Sequence, residues 1–202
     1  MMPFDYSQSG LPAHPVFELC TKMCNRWLDE NMAQFGSERI ASFMHNQPVA
    51  AAKRLLDNCA DASEESIIAA LLGPAKGALL AGGEMEVALR HTFGDRAVDL
   101  VRTLEEPTNA TDAAMTRDAQ RLFLVEGLST MHDQMIGRER IDAFHQKRWN
   151  ILRDLEAGFA MIKGQDPALD VLFEDAAKKS RDTLEALDRA AGAKNQPKPP
   201  GA

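Results

Sequence analysis

The sequence predicts an all-α protein, and three observations support this. Apolar residues recur at helical spacing along most of the 202 residues, and no stretch alternates apolar and polar residues as a strand does. Glycines and capping residues stand where the apolar pattern breaks. Hydrophobic residues make up 45% and aromatic residues 6% of the chain, a composition that favours packed helices. We therefore expect a single multi-helix domain over residues 15–191.

The first part of the chain predicts short helices in quick succession. An apolar stripe from Val16 to Trp27 indicates a first helix that closes at Gly36. Ser37 is suited to cap a second helix, because its hydroxyl can accept a backbone amide. Pro48 suits the first turn of a third helix, where a missing amide hydrogen costs nothing.

Ser63 marks the next helix start, since two glutamates follow it and complement the helix dipole. The apolar run IIAALL at 67–72 should be buried nearly all round. Beyond the glycines at 77, 82 and 83, we expect helices over 84–93 and 96–104, separated by Gly94 and Asp95. Residues 105–112 form the clearest predicted loop.

Three longer periodic segments follow, at about 112–136, 138–163 and 167–191, and each is followed by a glycine suited to a C-cap. These glycines are Gly137, Gly164 and Gly192. Residues 192–202 are polar and rich in proline, so we expect a disordered tail there. Residues 1–14 are interpreted as an N-terminal extension.

Charge and hydropathy disfavour several functional classes. The net charge of −7 repels phosphate backbones and anionic lipid, so nucleic acid and membrane surfaces are not expected partners. The chain has no apolar run of the roughly 20 residues that span a bilayer, and its first residues lack the pattern of a secretory signal. We expect a cytoplasmic protein.

Cysteine usage favours reduced, buried thiols. Cys20, Cys24 and Cys59 cannot all pair with one another, and Cys20 and Cys24 stand four residues apart on a predicted helix. No second Cys or His pair stands at zinc-ligand spacing. A disulfide or a zinc site is the less favoured alternative.

Four stretches resemble a known set of motifs. They are HNQPVA at 45–50, IIAALLGP at 67–74, FGDRAVDLV at 93–101 and AQRLFLVEGLSTM at 119–131. They resemble H-P-x-x-V-A, A-A-L-L-H-D, F-G-x-x-V-x-x-L-V (here with one extra residue before Val98) and A-K-x-x-K-L-A-D-K-L-x-N-M. These motifs belong to the HD-domain hydrolases of the RelA/SpoT and small alarmone hydrolase kind. Trp149 and residues 164–174 also resemble the closing helices of the small members.

The resemblance covers about residues 38–175 and implies an HD-domain-like multi-helix array, but with the metal site degenerate. In the family, four ligands hold the metal. Here His45 is retained, Gly73 and Pro74 replace the His-Asp pair, and Glu126 replaces the last aspartate. We expect no catalytic residue and no bound metal, with His45 and Glu126 as the residual candidate ligands.

Further polar positions of the family also change. Gly77 and Ala78 stand where hydrolases carry a Glu-Asp pair, and Phe123 stands where they carry a phosphate-facing lysine. The later asparagine is Thr130. The resemblance therefore implies a vestigial pocket, formed by His45, Gly73, Pro74, Gly77, Phe123 and Glu126. For His45 alone, a hydrogen-bonded structural role is the favoured interpretation.

Three functions remain open from the sequence. The favoured one is a pseudoenzyme that binds a partner protein, or a guanine nucleotide without turning it over. The second is a phosphohydrolase of alarmones or other nucleotides that uses Mn²⁺ at a rearranged site, with His91, Glu84 and Glu86 as candidate donors. The third is a helical structural module that forms a homodimer through residues 138–191.

Other titratable residues have a less specific pattern. Glu126 could pair with Arg121 or face water. His132 has no ligand spacing to His45, so a surface position is favoured. His145, Lys147 and Arg148 form a basic cluster that could contact a phosphate, although a solvated helix face is the favoured interpretation.

Overall fold

The computed structural model describes residues 6–30, 38–73, 82–104, 117–132 and 144–194, and of residues 8, 28–29, 38–46 and 192–194 the backbone alone. Within these ranges the chain forms eight α-helices and no strand, which confirms the predicted all-α class. The helices are α1 (Pro15–Glu30), α2 (Glu38–Asn58), α3 (Glu64–Leu71), α4 (Glu84–Phe93), α5 (Asp95–Thr103), α6 (Arg117–Thr130), α7 (His145–Ile162) and α8 (Pro167–Lys194). A short 3-10 turn, Tyr6–Gln8, precedes them.

Helix α3 lies at the centre of the array and contacts α1, α2, α5 and α6. It begins as predicted, because the Ser63 hydroxyl accepts a hydrogen bond from the amide of Ser66 at 3.2 Å. Residues 66–72 are all buried, which confirms the predicted burial of the IIAALL run. A helix with apolar residues on every side is stable only inside a core, and α3 therefore organises the packing around it.

The second helix differs from the prediction, since α2 runs without a break through Pro48. Proline inside a helix removes one backbone hydrogen bond and costs about 3 kcal/mol. Here the cost is offset by burial, because Pro48 and Val49 are buried and Ala52 and Leu55 continue the same apolar stripe to complete burial. Gly36 and Ser37, which were expected to separate the first two helices, lie outside the described residues.

The junction between α4 and α5 is Gly94 alone, one residue shorter than predicted, because Asp95 is already the first residue of α5. Gly94 has φ +86°, a conformation that side-chain-bearing residues rarely adopt, and it ends α4 through a hydrogen bond from its amide to the carbonyl of Arg90. Arg90 also binds the carboxylates of Asp95 and Asp99 across the junction. These contacts hold the two short helices against each other.

The three C-terminal helices fall inside the predicted segments, with one correction. Gly164 ends α7 with φ +95° as expected. Helix α8, however, continues through Gly192 to Lys194 instead of ending at residue 191. A glycine in a helix costs only about 1 kcal/mol relative to alanine, which is too little to force an end by itself. The loop at 105–112, Gly137 and the rest of the predicted tail lie outside the described residues.

All eight helices contribute buried side chains to one hydrophobic core, and Phe173, Leu55, Leu122 and Leu152 are among its largest members. Tyr6 and Leu11 of the N-terminal extension pack against the edge of this core. The three cysteines are free and buried, as predicted. Among the described residues no helix has both the length and the apolar character needed to cross a membrane.

Candidate functional site

The C-terminal end of α3 meets the middle of α6. Gly73 follows the end of α3, and a β carbon placed on it would lie 3.1 Å from Oε1 of Glu126. The two residues are far apart in sequence, and both belong to the predicted vestigial pocket. The contact arises because α2, α3 and α6 pack against one another around the same end of the core.

Of the other residues of the predicted pocket, only Phe123 has a described side chain. His45 lies within the backbone of α2, but its side chain is outside the described part of the chain, and so are Pro74 and Gly77. Phe123 is half-buried on α6, one turn before Glu126. The geometry therefore brings Gly73 and Glu126 together, and Phe123 is on the same helix as Glu126.

Phe123 packs against α7. A β carbon on Gly158 would lie 2.5 Å from the ring tip, so Gly158 leaves the space that the ring occupies. The Phe123 ring thus forms an apolar contact between α6 and α7. It offers no charge for a phosphate group.

Polar side chains join α2 to the last turn of α6. Arg54 donates a hydrogen bond to the Ser129 hydroxyl at 2.6 Å, and Gln47 donates to the hydroxyl of Thr130 at 3.4 Å. Thr130 is one of the polar positions named by the motif resemblance. Neither Arg54 nor Ser129 could be predicted from the sequence, because helical periodicity alone does not show which polar side chains face another helix.

An ion-pair cluster with a buried centre, Arg121 and Asp166, lies toward the other end of α6. Arg121, which is 2% exposed, donates through Nε to Asp166 at 2.7 Å and through a terminal nitrogen to Asp61 at 2.5 Å. Arg117 adds a hydrogen bond to Asp61 at 2.8 Å. The bond from Arg121 lowers the pKa of Asp61, whereas burial and the charge of Asp166 raise the pKa of Cys59 to about 11. The cluster ties the turn after α2 and the start of α8 to α6.

The candidate donors for a relocated metal site are not arranged around a common point. Both carboxylate oxygens of Glu86 accept hydrogen bonds from arginines, from Arg90 at 2.9 Å and from Arg102 at 2.5 Å. Glu84 and His91 are exposed on α4. Among the described residues no three His, Cys, Asp or Glu side chains are grouped as metal ligands.

The basic cluster at the start of α7 is not a solvated face, contrary to our expectation. His145 and Arg148 are buried, and Lys147 is exposed. His145 Nε2 lies 2.7 Å from one oxygen of Asp188, and the indole nitrogen of Trp149 donates to the other at 3.1 Å. His145 of this cluster and the neighbouring Trp149 thus join α7 to α8 through Asp188.

His132, at the end of α6, is exposed, as the sequence predicts. Arg121 donates hydrogen bonds to Asp166 and Asp61, and not to Glu126, in the described part of the chain.

No protein-family model, curated protein or solved structure matches the chain. The geometry of the described residues is therefore the basis for a proposed function.

Proposed function

We propose that the chain is a catalytically inactive, HD-domain-like protein that acts by binding a partner protein. The observation that carries this proposal is the contact between Gly73 and Glu126. In the hydrolases that the motifs resemble, the residues at these two positions bind one metal ion and must lie close together. Contact between the corresponding residues supports the alignment of α3 and α6 with that array.

The same contact supports loss of the chemistry. Gly73 has no side-chain donor, and the carboxylate of Glu126 fills the space into which a side chain from position 73 would extend. Phe123 places an aromatic ring against Gly158 where a hydrolase would present a cation. A catalytic metal needs several converging ligands and open positions for water and substrate. Gly73 and Phe123 contribute no ligand to such a site, which supports the proposal of an inactive protein.

A protein partner fits the charges better than a nucleotide. The net charge of −7 disfavours a multiply phosphorylated guest unless local cations compensate for it. The two arginines at the start of α6, Arg117 and Arg121, are engaged by Asp61 and Asp166. Cytoplasmic location is part of the same proposal.

Manganese titration and a hydrolysis assay test this function. We expect no stoichiometric Mn²⁺ binding by calorimetry and no release of pyrophosphate from guanosine tetraphosphate with Mn²⁺ present. Turnover, or one tightly bound ion per chain that depends on Glu126, would overturn the proposal in favour of a rearranged phosphohydrolase.

Thermal melting with guanine nucleotides tests the choice of ligand. A ligand that binds the folded chain raises the melting temperature with its concentration, by mass action. We expect no shift. A dose-dependent rise would replace the partner protein by a nucleotide as the bound molecule. Sedimentation over a range of protein concentrations shows whether the partner is a second copy of the chain.

A further inference from the structure

A pocket of about 290 Å³ opens between α1 and α4, away from the Gly73–Glu126 contact. Three sulfur-bearing side chains line it, Met23 and Cys24 from α1 and Met85 from α4. Trp27 and Leu89 complete its apolar lining. The walls therefore include one thiol and two thioethers, beside the charged side chains of Arg26 and Glu30.

The three sulfur-bearing residues differ in their exposure to solvent. Met85 is 40% exposed, Met23 is half-buried, and Cys24 is 4% exposed. Methionine side chains are unbranched and flexible, so thioether sulfurs can adjust their positions without movement of the helices. The Cys24 thiol is thus the least exposed of the three sulfur groups, and the Met85 thioether is the most exposed.

Ligand softness selects the kind of ion. Thiolate and thioether sulfur bind soft monovalent ions such as copper(I), whereas magnesium, calcium and manganese prefer oxygen ligands. Glu30, the carboxylate at the rim, already accepts a hydrogen bond from Arg26 at 2.7 Å. The pocket thus presents sulfur as its available donor chemistry.

Charge balance points to the same ion. One thiolate with one monovalent cation is neutral, and thioethers add no charge. Burial of a neutral complex avoids the large cost of an unpaired ion in an apolar environment. A divalent ion bound by the same three residues would leave one uncompensated positive charge.

The neighbouring thiol of Cys20 makes its own contact with the backbone of α3. Cys20 is fully buried one turn before Cys24, and its thiol donates to the carbonyl of Ile68 at 3.8 Å.

We propose that Met23, Cys24 and Met85 form a binding site for copper(I) in the pocket between α1 and α4. On binding, the sulfur–hydrogen bond of Cys24 breaks and a sulfur–copper bond forms, the proton passes to solvent, and no electron is transferred. The site is independent of the proposed function, since it shares no residue with the vestigial pocket.

Competition with a coloured copper(I) chelator under anaerobic, reducing conditions tests the site. The full chain should remove one equivalent of copper(I) from the chelator. Cys24→Ser should weaken binding by about a hundredfold and Met85→Leu by about tenfold, because each removes one sulfur donor. Met85→Leu conserves volume at a partly exposed position, so it keeps the test valid if Cys24→Ser perturbs folding.

Matched controls separate this pocket from other sulfur. Cys59→Ser changes a buried free thiol in the ion-pair cluster, and Met161→Leu changes an exposed methionine on α7, so both should bind copper(I) like the unmodified chain. Absence of a bound equivalent would overturn the proposal. Equal losses in the control variants would do so as well, because they would assign the ion to scattered sulfur.

Discussion

The α carbon of Gly73 faces the carboxylate of Glu126 so closely that one added methyl group would lie 3.1 Å from Oε1. Positions 73 and 126 therefore compete for the same space. A larger side chain at position 73 requires Glu126 to move or to be shortened. This relationship makes the alignment with a metal-binding array testable by substitution.

Restoration of the ligands should return metal affinity. We expect the combined substitutions Gly73→His, Pro74→Asp and Glu126→Asp to produce measurable Mn²⁺ binding by calorimetry, because His45 would then have three partner ligands. Gly73→His alone should destabilise the fold, since the imidazole meets the Glu126 carboxylate. Addition of Glu126→Asp should relieve part of that loss. A folded triple variant without Mn²⁺ binding would count against the alignment.

Arg121 should contribute more to stability than its neighbour Arg117, although both bind Asp61. Arg121→Ala leaves the buried Asp166 without its closest cation, and we expect the free energy of unfolding to fall by about 3–5 kcal/mol. Arg117 is 55% exposed at its side chain, so Arg117→Ala should cost less than about 1 kcal/mol. Urea denaturation of both variants measures the difference. Equal losses of stability in the two variants would show that the burial of Arg121 does not strengthen its ion pairs.

Helical periodicity predicted most of the helices because apolar residues at helical spacing form the buried face of each helix. The run at 67–72 is apolar on every side, and α3 is indeed central. The predicted helix start at Pro48 was wrong. The preference of proline for the first turn of a helix was outweighed by the burial of Val49 and Leu55 on the same helix.

The candidate site was less predictable than the helices, because it depends on contacts between distant residues. The motifs pointed to Gly73 and Glu126, which do meet. No local pattern indicated that Arg121 would pair with Asp166, 45 positions away. The same limitation explains why His145 and Arg148 were expected on a solvated face although both are buried.

Phe123 and Gly158 should show strong energetic coupling. Gly158→Ala would usually stabilise a helix by about 0.5–1 kcal/mol. Here the new methyl group would lie 2.5 Å from the Phe123 ring, so we expect a net loss of about 1–3 kcal/mol. In a Phe123→Leu background the ring is absent, and Gly158→Ala should then be nearly neutral. A double-mutant cycle by thermal unfolding checks this, and additive effects would argue against the contact.

Asp188 should contribute more to stability than Asp182, an exposed acidic residue of the same helix. Asp188→Ala removes the acceptor shared by His145 and Trp149, and Nδ1 of His145 is already buried without a partner in the described part of the chain. We expect a loss of about 1–3 kcal/mol and a change in tryptophan fluorescence. Asp182→Ala is the matched control, because Asp182 forms an exposed pair with Lys178 and should cost less than about 1 kcal/mol. Similar losses of stability for the two variants would contradict the role of Asp188 as an acceptor shared by His145 and Trp149.

The thiol of Cys59 should make the fold sensitive to alkaline pH. Burial, followed by the charge of Asp166, raises the pKa of Cys59 from its ordinary value of 9.0 to about 11. At pH values between these two, the unfolded chain loses the proton while the folded chain keeps it, so stability falls as pH rises through this window. Below pH 9 the thiol is protonated in both states and the contribution is complete.

Cys59→Ser isolates this contribution, because a serine hydroxyl can also donate to Asp166 but does not ionise in this range. We expect the free energy of unfolding of the unmodified chain to fall more steeply than that of Cys59→Ser between about pH 9 and 11. Urea denaturation at intervals of pH measures both slopes, and titration of lysine and tyrosine affects the two proteins equally. Parallel curves would mean that Cys59 ionises in the folded chain as readily as in the unfolded one, and that the cluster around Arg121 does not hold the thiol proton.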